Sequence, residues 1–466
     1  MKLISTFRSC LCLALLTALS SVRGAELPNI LWIVAEDCSA DWMHCYGNSA
    51  AKTPAIDALA EQGVRFEHAY SNAPVCAVAR STILTGVYAP SQGTQHMRSR
   101  YPIPTNFRSY VSYLREAGYY CTNNAKTDFN RAGDDRSIWD ASSGKATYRS
   151  RPDEKPFFAI FNLGTSHESS LFSDKLKRSK KSGVIKELSP EDLGKVIVPP
   201  YLPDLPEIRS DIANYQQIIT AMDAQVGQIL KDLEEQGLAD STIVFFYSDH
   251  GGILPRGKRY LKDTGVRVPM IVRYPKGMPL PTPFEAGVAS PEPVSFIDLA
   301  PTLLSLAKIA PPEHMQGRAF LGEHRKVAEP GETEFLFGDR FDELNGMRRG
   351  LVDGNFKYIR RFRPRLPAAP YSFYQFGQAG WKAWRAAWQN GKLTGRHAAM
   401  WEPNQPVEEL FDLKSDPWEV KNLAKDPAFS KQLESYRERL KQQMLAVKDT
   451  GIIAESFFPG LLEDHQ

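Results

Sequence analysis

The chain has 466 residues, of which 42% are hydrophobic and 24% are charged, so it is long enough for two or three globular domains with a sizeable core. Its formal net charge is only +3, which gives no support for a nucleic-acid partner held by bulk charge. Six cysteines in a chain of this length do not make a disulfide scaffold.

The N-terminus is typical of a signal peptide. Lys2 and Arg8 lead into the short apolar run CLCLALLTAL, and small residues then provide a cleavage site after Gly24. The run is short for a bilayer, and no later segment has the roughly 20 uninterrupted apolar residues of a spanning helix. We therefore expect an exported protein, periplasmic or extracellular, with no transmembrane segment; a signal anchor is the alternative. No asparagine starts an N-x-S/T sequon, and this absence favours a bacterial source.

Strand and helix patterns alternate over the next three hundred or so residues. The continuous apolar run Asn29–Asp37 predicts a buried parallel strand, and Thr53–Gly63 predicts a helix with Thr53 as N-cap and Gly63 as its stop. This alternation predicts an α/β fold in which helices cover both faces of a large, mainly parallel sheet. The further predicted elements are strand Val64–Tyr70, helix Phe107–Gly118, strand Tyr119–Asn124, strand Pro156–Gly164, helix Asp211–Gly237, strand Ser241–Asp249, strand Val268–Pro275 and helix Phe296–Lys308.

Two regions depart from this alternation. Within residues 165–210, the run Ser173–Gly183 predicts a solvated charged loop, and the proline-rich stretch after it suggests an insertion over the site. After about residue 330, a hairpin around Asp353-Gly354 and a helix over Phe429–Val447 predict a small α+β subdomain with an antiparallel sheet. The predicted organisation is a signal peptide (1–24), a catalytic domain (25–330) and a C-terminal α+β subdomain (331–466).

Polar residues of interest follow the ends of four predicted strands. Because ligands bind beyond the carboxyl ends of strands in open α/β sheets, we expect these residues to meet at one rim. Carboxylates gathered there favour a hard divalent cation such as Ca²⁺. Either acidic motif alone is compatible with an ordinary helix start or turn, and only their joint position favours a metal site. The residues are Glu36, Asp37, Lys126, His167, Asp249 and His250.

The stretch NAPVCAVARSTILTG places Cys76 and Arg80 at or just before the start of a predicted helix, where the helix dipole favours an anion. One interpretation is a catalytic thiolate activated by Arg80. A thiolate enzyme would need a nearby histidine base, however, and a hard cation is a poor companion for sulfur. Carboxylates, a lysine and a helix N-terminus are better suited to an oxygen nucleophile that attacks a tetrahedral oxyanion ester.

The motifs together resemble the formylglycine-dependent sulfatases. The family signature is a cysteine, any residue, proline or alanine, any residue and arginine, with Thr-Gly a few residues later; here CAVAR precedes Thr85-Gly86. The resemblance covers nearly the whole mature chain. The matching segments, in family order, are PNILWIVAEDC with CYGN, TPAIDALAEQGVRFEHAYSNAPVCAVARSTILTG, YLREAGYYCTNNAK, SDHGG, GVRVPMIV, FIDLAPTLL and ELFDLKSDPWEVKNL.

This resemblance implies an alkaline-phosphatase-like fold and a sulfate ester hydrolase. A formylglycine-generating maturation enzyme would oxidise Cys76 to formylglycine, whose gem-diol attacks sulfur with one hydroxyl and expels sulfate with the other. Arg80 would hold the hydrated aldehyde, and His167 would protonate the leaving oxygen. Lys126 and Lys258 would bind sulfate oxygens. The implied calcium ligands are Glu36, Asp37, Cys76, Asp249 and His250.

Several positions depart from the family pattern or leave alternatives open. Val78 stands where the signature has proline or alanine, and Glu36 stands where an aspartate is usual. Asp128 stands where a histidine usually assists the elimination step, so either Asp128 or water would act as the base. Arg259 and Lys262 are alternatives to Lys258.

The substrate is less well defined by sequence. A sulfated polysaccharide or oligosaccharide is the predicted substrate, and the segment GTQHMRSR offers His96, Arg98 and Arg100 for binding it, together with Asp128; solvated loop charges are the alternative for this segment. The aromatic segment Tyr371–Trp388 is expected to pack on the core rather than to stack on sugars. The competing functions are a phosphodiesterase or phosphonate monoester hydrolase of the same superfamily and an inactive glycan-binding relative.

Overall fold

The computed structural model describes residues 27–152, 155–449 and 451, and the predicted signal peptide lies outside them. The described residues form fourteen strands: β1 (Asn29–Ala35), β2 (Val64–Phe66), β3 (Ala69–Tyr70), β4 (Tyr120–Asn124), β5 (Ala141–Ser142), β6 (Phe157–Leu163), β7 (Thr242–Ser248), β8 (Met270–Arg273), β9 (Ala289–Ser290), β10 (Val294–Ser295), β11 (Glu334–Phe341), β12 (Leu344–Val352), β13 (Phe356–Arg361) and β14 (Glu408–Asp412).

The same residues form twelve α-helices: α1 (Pro54–Gln62), α2 (Cys76–Thr85), α3 (Ala89–Gln92), α4 (Tyr110–Glu116), α5 (Ser173–Lys181), α6 (Pro190–Gly194), α7 (Pro206–Glu235), α8 (Asp263–Val266), α9 (Leu299–Leu306), α10 (Ala379–Gln389), α11 (Gly395–Ala399) and α12 (Ser430–Ala446). None of the helices within residues 27–449 has both the length and the apolar composition needed to traverse a bilayer.

The main sheet has eight strands in the order β5-β4-β6-β1-β7-β8-β2-β9. The five strands from β5 to β7 are parallel, and β8 runs antiparallel to both of its neighbours. The predicted mainly parallel α/β sheet is therefore confirmed. Because β4, β6, β1 and β7 are adjacent and parallel, their carboxyl ends lie side by side at one rim of the sheet.

An apolar layer on each face of the sheet explains why the sequence of β1 is a continuous apolar run. Trp32 and Val34 belong to a buried cluster with α4 and α9, whereas Leu31 and Ile33 belong to a second cluster with α1 and α7. Successive side chains of a strand point to opposite faces, so a strand that is covered on both faces has no polar alternation. The central strand is thereby fixed within the sheet, and it delivers the residues that follow it to the rim.

The structure corrects three local predictions. The charged run predicted as a loop contains the helix α5 (Ser173–Lys181), whose side chains are half-exposed or exposed, so no apolar stripe reveals it. Val64–Tyr70 is two short strands in different sheets rather than one strand. Thr53 precedes α1 but makes no side-chain cap; its hydroxyl instead accepts from the His44 N–H at 3.1 Å.

The C-terminal part of the chain forms a four-stranded antiparallel sheet in the order β11-β12-β13-β14, which confirms the predicted antiparallel sheet and the hairpin at Asp353-Gly354. One face of this sheet packs on α12 and on the start of α2, including Cys76 and Val78. The other face packs on Leu261 and Val266, which follow β7. The C-terminal sheet thus contacts the two segments that carry most of the predicted site.

The aromatic segment near the C-terminus divides between core and surface. Trp381 and Trp384 on α10 are buried and stack with ring centroids 5.7 Å apart, in the cluster that also contains α7 residues. Tyr371 and Phe373, by contrast, are 52% and 77% exposed. The prediction of core packing therefore holds for the helix and for Phe376 but not for Tyr371 and Phe373.

Candidate active site

The rim brings together residues from widely separated parts of the sequence. Glu36 and Asp37 follow β1, and Asp249 and His250 follow β7. The strands hold them at fixed register, since Ala35 lies opposite Ser248 and the Asp249 N–H donates to the Ala35 carbonyl at 3.0 Å. Parallel pairing of the two strands thus makes neighbours of residues more than two hundred positions apart.

Asp37, Asp249 and His250 are fully buried, and one potential ligand atom of each lies within 4.8 Å of the others. The His250 Nδ1–H donates to the Gly251 carbonyl at 2.9 Å, which leaves Nε2 of a neutral ring as a bare lone pair. That Nε2 lies 2.8 Å from Asp37 Oδ1, and neither atom has a hydrogen-bond partner. Two facing lone pairs need a proton or a cation between them, so this donor set fits a metal ion.

The carboxylates at the rim each contact a basic side chain. Lys258 Nζ lies 2.7 Å from Asp37 Oδ2, and Lys126 Nζ lies 2.9 Å from Glu36 Oε2. Asp249 Oδ2 accepts from the Arg80 guanidinium at 3.0 and 3.2 Å. Glu36 thus lies beside the buried acid cluster and is held by a lysine.

These contacts set the ionisation of the cluster. Burial alone would raise the pKa of Asp37, but the charge of Lys258, together with that of His167 and His250 when their rings are protonated, holds it well below its usual range. Burial likewise opposes ionisation of Asp249, but His250 when its ring is protonated, Arg80 and Lys126 lower its pKa to about 2. Both carboxylates are therefore charged at neutral pH, as metal ligands must be.

Cys76 is the first residue of α2 and is 4% exposed. Burial raises the pKa of its thiol to about 12, while Lys126 and Lys258 act to lower it and Asp128 and Asp249 to raise it. The thiol is accordingly protonated at neutral pH, which disfavours the thiolate interpretation. All four described cysteines, Cys38, Cys45, Cys76 and Cys121, are free.

The predicted acid, His167, and the second lysine, Lys258, both approach the same oxygen of Asp37, Oδ2. His167 Nε2 is 4.0 Å from Asp37 Oδ2, and His167 Nδ1 lies 3.0 Å from the Ser169 hydroxyl and 3.4 Å from the Ser169 N–H. When Nδ1 accepts from Ser169, the proton of a neutral ring is on Nε2. Of the three basic candidates, Lys258 contacts Asp37, whereas Arg259 pairs with Glu168 and Lys262 with Glu409.

The predicted substrate residues contact residues outside the acid cluster. His96 is buried and its Nδ1 accepts from the Arg340 N–H at 3.4 Å, while Arg98 and Arg100 are exposed. Arg98 Nε lies 4.0 Å from Asp342, a residue of the turn between β11 and β12. Asp128 is closer to the rim, with Oδ2 3.9 Å from Lys126 Nζ.

Sequence reasoning missed several residues that hold the site. Asn162 Oδ1 accepts from Arg80 Nη1 at 2.7 Å, the Glu168 N–H donates to Asp37 Oδ2 at 2.8 Å, and the Tyr215 hydroxyl donates to the Asp37 carbonyl at 2.6 Å. The sequence contained one indication of the role of Glu168, since this residue directly follows His167. The sequence contained no indication of the role of Tyr215, because a tyrosine on the buried side of the amphipathic helix α7 resembles an ordinary core residue.

The sequence profile of the family described as Sulfatase matches residues 28–309. An ulvan-active sulfatase of Formosa agariphila is 37% identical, over 94% of this chain and 78% of its own. The N-sulphoglucosamine sulphohydrolase of Homo sapiens is 26% identical, over 97% of this chain and 96% of its own.

Solved structures agree on the fold. A protein in complex with its substrate D-glucosamine-2-N,6-O-disulfate aligns with a TM-score of 0.66 at 17% identity, over 91% of this chain and 99% of that chain. The family resemblance predicted from the motifs is confirmed by the profile and by the 37% identical relative. The chain therefore belongs to the sulfatase family and is a sulfuric ester hydrolase, a type I sulfatase of the alkaline-phosphatase-like superfamily.

Proposed function

We propose that the chain removes sulfate esters from sulfated carbohydrates, with Ca²⁺ at the acid cluster and with Cys76 matured to formylglycine. The observation that carries the proposal is the buried cluster of Asp37, Asp249 and His250, in which Asp249 accepts from Arg80 on the helix that begins at Cys76. The carbohydrate substrate is supported by the ulvan-active relative and by the disulfated glucosamine that the aligned structure binds.

The two implied groups supply the chemistry that this chain's side chains lack: a hydrated aldehyde as oxygen nucleophile and a cation that screens the sulfate charge. Asp37, Asp249 and His250 would hold the cation, with Glu36 beside them. Arg80, fixed between Asn162 and Asp249, would orient the nucleophile at position 76.

The remaining residues would manage charge and protons. Lys126 and Lys258 would bind sulfate oxygens; although burial lowers their pKa, the nearby acidic groups raise it, so both stay charged. His167, with a proton on Nε2, would protonate the leaving oxygen. Asp128, which carries a carboxylate near Lys126 where the family usually has histidine, would take the base role in the second half of the reaction.

Maturation and localisation belong to the same proposal. The maturation enzyme would act on Cys76 despite Val78, whose side chain packs in the apolar layer beneath the C-terminal sheet. Export through the signal peptide 1–24 to the periplasm or beyond would place the enzyme where polysaccharides occur. The catalytic part would then be residues 25–330, and residues 331–466 would form the subdomain that supports it.

Mass spectrometry tests the modification directly. The tryptic peptide Phe66–Arg80, from protein made in the native host or with a co-expressed maturase, should have the mass expected when an aldehyde replaces the thiol. The same peptide from a host without the maturase serves as the control. An unmodified thiol in fully active native protein would refute the formylglycine proposal.

A substrate panel tests the reaction. Sulfate release from ulvan and glycosaminoglycan oligosaccharides should exceed phosphate-ester or phosphonate hydrolysis by orders of magnitude in kcat/KM. The reverse ranking would establish a phosphodiesterase or phosphonate monoester hydrolase. Sugar binding without turnover by protein whose aldehyde has been verified would establish a glycan-binding relative.

Calcium is tested without relying on activity. Chelation should lower the thermal midpoint of the wild-type protein and Ca²⁺ should restore it, because a ligand that binds only the folded state stabilises it. In Asp249→Asn the midpoint should no longer respond to Ca²⁺. A calcium response of equal size in both proteins would place the ion elsewhere.

A further inference from the structure

A small cavity of about 120 Å³ opens at the edge of the C-terminal sheet, outside the rim described above. Its lining includes three arginines, Arg348, Arg361 and Arg363, against a single acidic residue, Glu343, which is exposed. Cavities that enclose a whole small ligand measure roughly 300–1,000 Å³. This one is suited to a single substituent of a larger molecule.

The positive charge in this cavity is incompletely balanced. Arg348 and Arg361 lie directly opposite each other on β12 and β13, an arrangement that is destabilising for like charges. Glu409 accepts from Arg361 at 2.7 Å, but it also accepts from Lys262 at 3.1 Å. Two basic side chains therefore share one carboxylate, and Arg348 is left outside the pair.

Arg348 itself has no carboxylate partner among the described residues. Its Nη1 donates to the Arg259 carbonyl at 3.1 Å, and its guanidinium lies 5.4 Å from the centre of the Tyr260 ring. Burial and the charge of Arg361 lower the pKa of Arg348 to about 10. The guanidinium is thus in an environment that an added anion would stabilise.

One hydrogen-bond donor of Arg361 also lacks an acceptor. The residue is 8% exposed, and its Nε–H is buried without a hydrogen-bond partner. Its single carboxylate contact therefore leaves part of the hydrogen-bonding capacity of this guanidinium unused. Lining residues other than the arginines are largely apolar, including Leu366 and Pro370, and these can contact the face of a sugar ring.

The cavity is linked to the active site by three successive residue contacts. Arg348 reaches the Arg259 carbonyl, and the Arg259 side chain pairs with both carboxylate oxygens of Glu168 at 2.7 and 3.0 Å. The Glu168 N–H in turn donates to Asp37 Oδ2 at 2.8 Å. These contacts place the arginine cavity near the acid cluster, within the span of a short oligosaccharide, although the contacts themselves are buried.

We propose that this arginine cavity binds a second anionic group, a carboxylate or a sulfate, of the same glycan whose sulfate ester is hydrolysed at the rim. Planar guanidinium groups bind both anions through paired hydrogen bonds, and their charge-assisted bonds are the stronger kind. The inference rests on the proposed carbohydrate sulfatase function and narrows its substrate to polyanionic glycans.

The test compares two substrates and matched variants. The substrates are p-nitrophenyl sulfate, which carries one anionic group, and sulfated ulvan oligosaccharides, used intact and after reduction of their carboxyl groups. The variants are Arg363→Ala and Arg348→Gln. The control is Arg365→Ala, which removes an exposed arginine from the same loop but outside the cavity lining.

We expect each cavity variant to lose about 10- to 100-fold more kcat/KM on the intact oligosaccharide than on p-nitrophenyl sulfate, mainly through KM. The control should behave as wild type on both. If carboxyl reduction of the substrate removes the difference, the bound group is a carboxylate; if the difference remains, it is a sulfate. Equal losses on both substrates, or none on the oligosaccharide, would overturn the proposal.

Failure of the proposed function would be distinguishable. If the wild-type protein released no sulfate from any ester, binding of the intact oligosaccharide would be measured by calorimetry. Weaker binding by Arg363→Ala but not by Arg365→Ala would still support the cavity, and equal binding by wild type and both variants would refute it.

Discussion

The rim of the main sheet and the C-terminal sheet both bury charged side chains, but they balance them differently. In the C-terminal sheet, Arg349 is fully buried, and both Asp339 and Asp449 accept from its guanidinium. At the rim, Asp37 Oδ1 and His250 Nε2 face each other at 2.8 Å without a hydrogen bond. Burial of a charged side chain therefore does not by itself indicate function. A buried charge that the protein's own side chains leave incompletely paired does indicate it.

The largest expected effect concerns the rim. Cys76→Ser should reduce multiple-turnover sulfate release by about 10⁴-fold or more, because a single hydroxyl cannot expel the sulfate it accepts. The thermal midpoint should change little, since the replacement is nearly isosteric. Cys45→Ser is the matched control and should retain activity. Sustained turnover by Cys76→Ser would contradict the prediction, because it would show that catalysis at the rim does not need a second hydroxyl at this position.

The second prediction concerns the C-terminal sheet. Arg349→Met should lower the free energy of unfolding by about 3–5 kcal/mol, because it leaves two carboxylates buried without their partner. The folded fraction should retain its kcat/KM toward p-nitrophenyl sulfate. Adding Asp339→Asn should recover part of the stability, as measured by chemical denaturation. A loss of activity out of proportion to the unfolded fraction would show that this charge pair serves the site as well.

The smallest effect concerns the junction between the two regions. Glu334, the first residue of β11, is buried, and burial together with Asp298 raises its pKa to about 8. The folded state thus keeps a proton that the unfolded chain releases near the ordinary pKa of glutamate, so stability falls as pH rises from about 4.5 toward 8.

Glu334→Gln should flatten this dependence, so that the variant loses fewer degrees of thermal midpoint than wild type between pH 5 and pH 8. The control is Glu329→Gln, an exposed acid just before the same strand, which should follow the wild type. Identical slopes for Glu334→Gln and wild type would mean that Glu334 is ionised in the folded state.

Much of the site could be predicted because parallel strands share an edge. Asp37, Asp249 and His250 each follow a buried apolar run, and the topology of an α/β sheet brings such positions together whatever their separation in sequence. The helix α5 could not be predicted in this way, because a helix that is polar on all sides carries no periodic apolar signal. The pairing of Arg259 with Glu168 was equally invisible, since it joins two loops whose approach depends on packing of the whole domain.

The sequence by itself determined the alternation of strands and helices, the rim residues and the family, because these depend on local periodicity and on motifs within single segments. Only the tertiary structure decided which basic side chain contacts Asp37, how the C-terminal sheet supports Cys76, and where three arginines meet around one small cavity. Those features depend on contacts between distant segments, and the distances and the burial that give a charge its energy exist only once the chain has folded.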